Sequence, residues 1–326
     1  MLTRPRLISK TFIGALVVLI AATTFAAQAQ DDATDQRVLA GLAPAEGVEL
    51  AYYTYGEGPP LLVLNGGPGL SSVHFESLAR DLADLGTGYQ VILFDQRGTG
   101  RSSLETVDST TVTTALMVDD IEALRQHLGI ESWSVLGHSW GGMYGMLYAT
   151  AHPEHVSSLI LSSAGGANLD WLPYVGHNIR MRLGPERRAA FEQALDSDYI
   201  DADPERAERE RIEALATAYV YDPENIPFVA ASLSREGANF PAVRGLVYAD
   251  LRRTGYDLYD DLAAFDRPAL IVHGRQDLLG DLVPYRTHQA LPNSELVWLD
   301  ECSHYGWLDQ PEAYFSAIET FLNRIS

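Results

Sequence analysis

Six consecutive residues, Gly137-His138-Ser139-Trp140-Gly141-Gly142, constrain this chain more than any other stretch. They stand between an apolar run at 133–136 (WSVL) and a segment at 143–149 (MYGMLYA) that reads as a buried helix. Strand, Gly-x-Ser-x-Gly, helix is the layout of a turn so sharp that its flanks tolerate almost no side chain. Glycine supplies that tolerance and leaves the serine hydroxyl exposed at the tip. The N–H that follows the serine can point at a developing oxyanion. The pattern therefore predicts a serine nucleophile. A glycine-rich turn that happens to hold a serine is the bland alternative, and the flanking strand and helix patterns weigh against it.

The rest of the chain repeats the same rhythm. Residues 47–55 (GVELAYYTY) alternate partly, as an early antiparallel strand or hairpin does. The runs at 61–64 (LLVL) and 91–94 (VILF) are continuous and apolar, as expected of strands buried on both faces. Each ends in a glycine-rich loop. A helical stretch falls at 75–85. Leu116, Ile121, Leu124 and Leu128 recur at helical spacing over 115–128, with Gly129 placed to end the helix. Further strands are expected at 156–161, 268–272 and 296–299, and a closing amphipathic helix at 312–325. Strands alternating with helices imply an α/β fold: a mostly parallel sheet covered by helices on both faces. The rhythm breaks after Gly165-Gly166 and resumes at Pro268. The hundred or so residues between are too long for a plain loop. Helical patterns at 187–195, 205–220 and 228–233 predict a helical cap, assigned to 166–266, over a core of 30–165 and 267–326.

The first 29 residues read as an export signal. Arg4, Arg6 and Lys10 form a positive start, an apolar run follows at 12–22, and Ala27-Gln28-Ala29 resembles a cleavage site, so the mature chain is expected to begin at Gln30. The apolar run is short for a membrane span. No stable membrane insertion is expected after cleavage, and the location expected is periplasmic or secreted. Formal net charge is −21, and removal of three cations makes it −21 − 3 = −24. That acidity disfavours nucleic acid and anionic membranes as partners. One cysteine, Cys302, excludes an intramolecular disulfide. His152-Pro153-Glu154-His155 could suggest a metal pair, but Pro153 breaks the helix that such a pair needs. Gly98 and Gly100 follow a strand without the rest of a dinucleotide pattern. Neither a metal nor an organic cofactor is expected.

A serine nucleophile needs a general base, and the base needs a third group that fixes its tautomer. In a strand-turn-helix plan the chain order is Ser, acid, His. Asp277 follows the strand at 268–272, and His304 follows the strand at 296–299. Both fall in loops after strands, where catalytic groups gather in parallel sheets. His138, His273 and His288 are the rival histidines and Asp281 the rival acid. The order favours Ser139, Asp277 and His304. Trp140 N–H is one oxyanion donor, and the loop after Leu64 supplies the other, assigned to Gly67.

Four segments resemble the α/β-hydrolase fold, and within it the proline iminopeptidases and their relatives. Asn65-Gly-Gly-Pro-Gly69 is similar to that family's His-Gly-Gly-Pro-Gly loop. Asp95-Gln-Arg-Gly-Thr-Gly-Arg-Ser102 resembles its Asp-Gln-Arg-Gly-Ser-Gly-x-Ser segment, 137–142 its Gly-Gly-Ser-Trp-Gly-Gly turn, and 274–277 its Gly-Arg-Tyr-Asp loop. The resemblance implies the same triad and the same oxyanion donors. It implies an aminopeptidase that releases N-terminal residues, proline preferred, from short peptides. The chain departs from the family at Asn65, at His138 and in the cap, which carries no tryptophan beyond Trp171. Iminopeptidases hold the substrate's α-amino group with cap carboxylates, for which Glu213, Glu224 and Glu236 are the candidates. Two other readings compete: an esterase or lactonase acting on small acyl esters, and a silent binding protein on a hydrolase scaffold. Oligomeric state is left open.

Overall fold

The computed structural model describes residues 37–325, apart from 87 and 236. The expected export signal and its cleavage site lie outside the described residues. The strands are β1 (Gly41–Ala45), β2 (Val48–Tyr55), β3 (Pro60–Leu64), β4 (Gln90–Phe94), β5 (Trp133–His138), β6 (Val156–Ser162), β7 (Ala269–Gly274) and β8 (Ser294–Leu299). They form one sheet in the order β1-β2-β4-β3-β5-β6-β7-β8. The β1–β2 hairpin is antiparallel and pairs antiparallel with β4. All other neighbours run parallel.

Continuous apolar strands feed two layers at once, because successive side chains point to opposite faces. Leu62 and Leu64 face one core layer, while Leu61 and Val63 face the other. Ile92 and Phe94 divide from Val91 and Leu93 in the same way. Helices α1 (Glu76–Ala83), α2 (Thr114–His127) and α3 (Trp140–Ala151) follow β3, β4 and β5. Thr113 caps α2 by accepting from Leu116 N–H, and Gly129 ends it in the left-handed region at φ 66°.

Between β6 and β7 run α4 (Leu172–Arg182), α5 (Pro185–Gln193), α6 (Ser197–Ala202), α7 (Pro204–Tyr219), α8 (Ile226–Leu233), α9 (Pro241–Thr254) and α10 (Tyr259–Leu262). They do not act as one body. Helices α4, α5, α7 and α8 pack around two smaller apolar clusters, one built on Ile179, Leu183 and Phe191 and one on Ile212, Val229 and Leu233, the second resting on Leu70, Tyr305 and Leu308 of the core. Val243, Val247 and Leu251 of α9, with Leu262 of α10, instead join the main core layer beside Met117 and Tyr144. In packing terms the cap is therefore narrower than the 166–266 interval. Helix α9 has a weak helical stripe, and its buried residues are matched to the core rather than to the cap. The chain closes with α11 (Leu282–Ala290), α12 (Gly306–Asp309) and α13 (Pro311–Ile325). Tyr314, Ile318, Phe321 and Leu322 of α13 cover the second layer.

Candidate active site

Ser139 stands at the end of β5 with φ 55° and ψ −118°, a backbone conformation that strains any residue but glycine. The turn closes because its neighbours lack side chains. A Cβ on Gly137 would strike the Gly141 carbonyl, and one on Gly141 would strike the Leu64 carbonyl. Gly142 N–H and Gly165 N–H both donate to the Ser139 carbonyl, at 3.0 and 2.9 Å.

The acid loop and the histidine loop are tied to each other. Gln276 N–H donates to the Cys302 carbonyl at 2.9 Å, and Cys302 N–H donates to Gln276 Oε1 at 3.0 Å. His304 Nδ1 lies 3.1 and 3.0 Å from the two carboxylate oxygens of Asp277. Burial alone would raise the Asp277 carboxyl. His304, His273 and the Leu279 N–H together bring it well below the usual carboxylate range. An ionised carboxylate only accepts, so Nδ1–H donates to Asp277 and Nε2 takes no part in that pair. His304 N–H donates to the Tyr219 carbonyl at 2.9 Å, and the Tyr219 ring packs on the imidazole at 5.1 Å between centroids. The cap thus holds the His304 ring through Tyr219. Ser139 Oγ makes no hydrogen bond among the described residues. Catalytic hydrogen bonds are commonly long before substrate arrives and tighten in the Michaelis complex.

The Asn65–Gly69 loop leans on Ser139. A Cβ placed on Gly66 would stand 3.1 Å from Ser139 Cβ. Gly67 adopts φ 59°, and its carbonyl accepts from Leu70 N–H at 2.8 Å. Neither Gly67 N–H nor Trp140 N–H has a partner among the described residues. Two donors without a protein partner are free to meet a developing negative charge. Asn65, the first departure from the family pattern, fixes this loop from inside. Its Nδ2 donates to the carbonyls of Gly66 and Leu70 at 3.1 and 2.9 Å. Gln96 Nε2 donates to Asn65 Oδ1 at 3.1 Å, while Trp140 Nε1 donates to Gln96 Oε1 at 3.0 Å. The link through Gln96 was not singled out from sequence. Its signal was the position of Gln96 just past a buried strand.

The remaining histidines divide by environment. His138 is buried against His304, Trp307 and Phe75, and burial first, then His304, holds its imidazole well below the ordinary value. His273 is buried with both ring nitrogens unpartnered, and its Nε2 lies 3.7 Å from Asp277 Oδ2. His288 bonds Ser294 at the far end of β8. Glu213 and Glu224 are both exposed, and no hydrogen bond or ion pair joins either to the triad. Glu236 lies outside the described residues. His152 and His155 flank a short 3-10 turn, Pro153–His155. Among the described residues no cluster of metal-ligating side chains is present.

Residues 59–311 match the family model for the alpha/beta hydrolase fold. The chain belongs to the α/β-hydrolase family, and it is a hydrolase. It is 31% identical over 274 residues to the proline iminopeptidase of Lactobacillus delbrueckii subsp. lactis, covering 81% of this chain and 90% of that one. It is 29% identical over 302 residues to the proline iminopeptidase of Lactobacillus helveticus (strain DPC 4571), covering 88% and 98%. The crystal structure of proline iminopeptidase from Mycobacterium smegmatis superposes with a TM-score of 0.66 at 25% identity, covering 87% and 98%. In this α/β-hydrolase the carboxyl ends of β3, β5, β7 and β8 lead into the Asn65–Gly69 loop, Ser139, the Asp277 loop and the His304 loop at one edge of the sheet.

Proposed function

We propose that this hydrolase is an exported serine aminopeptidase of the proline iminopeptidase type, releasing N-terminal residues from short peptides. The observation that carries the reading is the His304–Asp277 pair at 3.0 Å, packed on His138 next to a strained Ser139, in a chain whose relatives are named proline iminopeptidases. His304 Nε2 takes the Ser139 proton as the hydroxyl oxygen attacks the carbonyl carbon. Gly67 and Trp140 N–H groups hold the oxyanion. The C–N bond breaks as His304 passes its proton to the leaving amine. Water, deprotonated by His304, then hydrolyses the acyl-enzyme and Ser139 is regenerated. Helices α4 to α8 restrict the site to short chains. Export rests on the basic start, the apolar run at 12–22 and the small residues before Gln30.

A second reading, an esterase or lactonase on small acyl esters, draws on the exposure of Glu213 and Glu224, neither of which is joined to the triad. One experiment separates the two. Mature protein and Ser139→Ala are assayed on proline-β-naphthylamide, its N-acetylated form and a short-chain p-nitrophenyl ester. Cleavage confined to the free-amine amide supports the aminopeptidase. Cleavage of the ester alone overturns it. Sequencing the N-terminus of the exported protein tests the start at Gln30.

A further inference from the structure

Where the cap meets the loop after β3, Arg244 forms no ion pair with a carboxylate among the described residues. Arg244 sits in the first turn of α9, half-buried. The backbone holds it against the oxyanion loop: Phe240 N–H donates to the Gly69 carbonyl at 2.6 Å, Leu70 bridges to Asn239, and a Cβ on Gly69 would stand 2.9 Å from Arg244 N. Its guanidinium donates to Asn239 Oδ1, a neutral acceptor. The nearby Glu208 is committed elsewhere, forked onto Arg211 through contacts of 2.8 and 2.5 Å. Among the described residues no ion pair reaches Arg244. The groups that act on it are Arg211, Tyr219, Tyr248 and Glu208, and Tyr219 is the ring that packs on His304. Burial first, and Arg211 second, lower the Arg244 guanidinium from its ordinary value, yet arginine stays charged in proteins.

We infer that Arg244 is a specificity residue that takes a carboxylate of the substrate, at the wall between the oxyanion loop and the Tyr219 side of His304. A planar guanidinium with donors to spare matches a carboxylate in forked geometry. In a dipeptide the free C-terminus lies one residue from the scissile bond. An acidic side chain on the acyl residue offers the same chemistry. The inference deepens the aminopeptidase reading and rests on it for the peptide form of the substrate.

The test compares matched pairs that differ only in that charge, on wild type, Arg244→Gln and Arg244→Lys. Pro-Ala against Pro-Ala-amide probes a C-terminal carboxylate. Glutamyl- against glutaminyl-β-naphthylamide probes an acyl-side one. A charge-assisted hydrogen bond predicts a preference of roughly 10- to 100-fold in kcat/KM for the charged member of one pair. That ratio collapses toward one in Arg244→Gln through a raised KM, and recovers in part in Arg244→Lys. The pair that carries it identifies the source of the carboxylate. Wild-type ratios near one in both pairs overturn the inference without any variant, as does a ratio that Arg244→Gln leaves intact. If no peptide substrate is cleaved while a neutral p-nitrophenyl ester is, the aminopeptidase reading fails by itself. Arg244 is then judged by the same ratio between p-nitrophenyl hemiglutarate and p-nitrophenyl valerate.

Discussion

Ser139 combines two demands that pull apart. Its hydroxyl must stand clear of the sheet, and the backbone that lifts it there costs about 1–3 kcal/mol. Two substitutions separate the demands. Ser139→Ala removes the nucleophile and lowers kcat by at least about 10³-fold with little change in stability. Ser139→Gly removes the nucleophile and relieves the strain, so its urea midpoint rises above that of Ser139→Ala by an amount worth about 1 kcal/mol. Asp277→Asn keeps the shape of the acid but offers an N–H where Nδ1–H expects an acceptor. It lowers kcat about 10⁴-fold while leaving the circular dichroism spectrum unchanged. Equal midpoints for the two serine variants, or an active Asp277→Asn, would sink these assignments.

At the scale of elements, the sheet and its site-bearing loops depend on backbones that touch. Gly141 is the tightest such point, since any Cβ there meets the carbonyls of Leu64 and Asn65. Gly141→Ala is expected to lose more than about 3 kcal/mol, measurable as insoluble protein or a collapsed melting transition. These same contacts explain what sequence made legible. The buried strands announced themselves as continuous apolar runs, and the order Ser139, Asp277, His304 followed from which loop follows which strand. The patterns of α1 and α13 are strong because each has one wet face. The division of 166–266 was not legible, because Val243, Val247 and Leu251 look alike whether they face a cap or a core. Arg244 carried no signal either. What sets it apart is the engagement of Glu208 with Arg211, a fact of three dimensions.

The whole molecule is a core and a cap tied together by polar contacts on two sides. Asn178 donates to the Leu278 carbonyl at 2.8 Å, Arg182 reaches Ser303 Oγ at 3.1 Å, and Asp309 accepts from Tyr221 N–H at 2.8 Å. On the opposite side His74 Nδ1 lies 2.8 Å from Ser232 Oγ and its Nε2 lies 3.3 Å from the Ala238 carbonyl. Burial holds this imidazole down to about 4, against an ordinary 6.5. The unfolded chain therefore takes the proton first as pH falls. Stability from His74 is whole above 6.5 and declines toward 4, by about 1 kcal/mol per pH unit. Buried His138 and His273 act in the same direction. Urea midpoints should fall between pH 7 and pH 5, and less steeply in His74→Gln; an equal slope in that variant would remove His74 from the account. The reciprocal bonds between Gln276 and Cys302 have a consequence of another kind. The single thiol of the chain is sealed beneath the joint of the acid and histidine loops, its Sγ donating to the Ser303 carbonyl at 3.4 Å and its acidity suppressed by burial. Alkylation of Cys302 in native protein should then proceed only as fast as that joint breathes. A thiol reagent becomes a clock for the opening of the catalytic loops, with no label to introduce and no second cysteine to confuse the count.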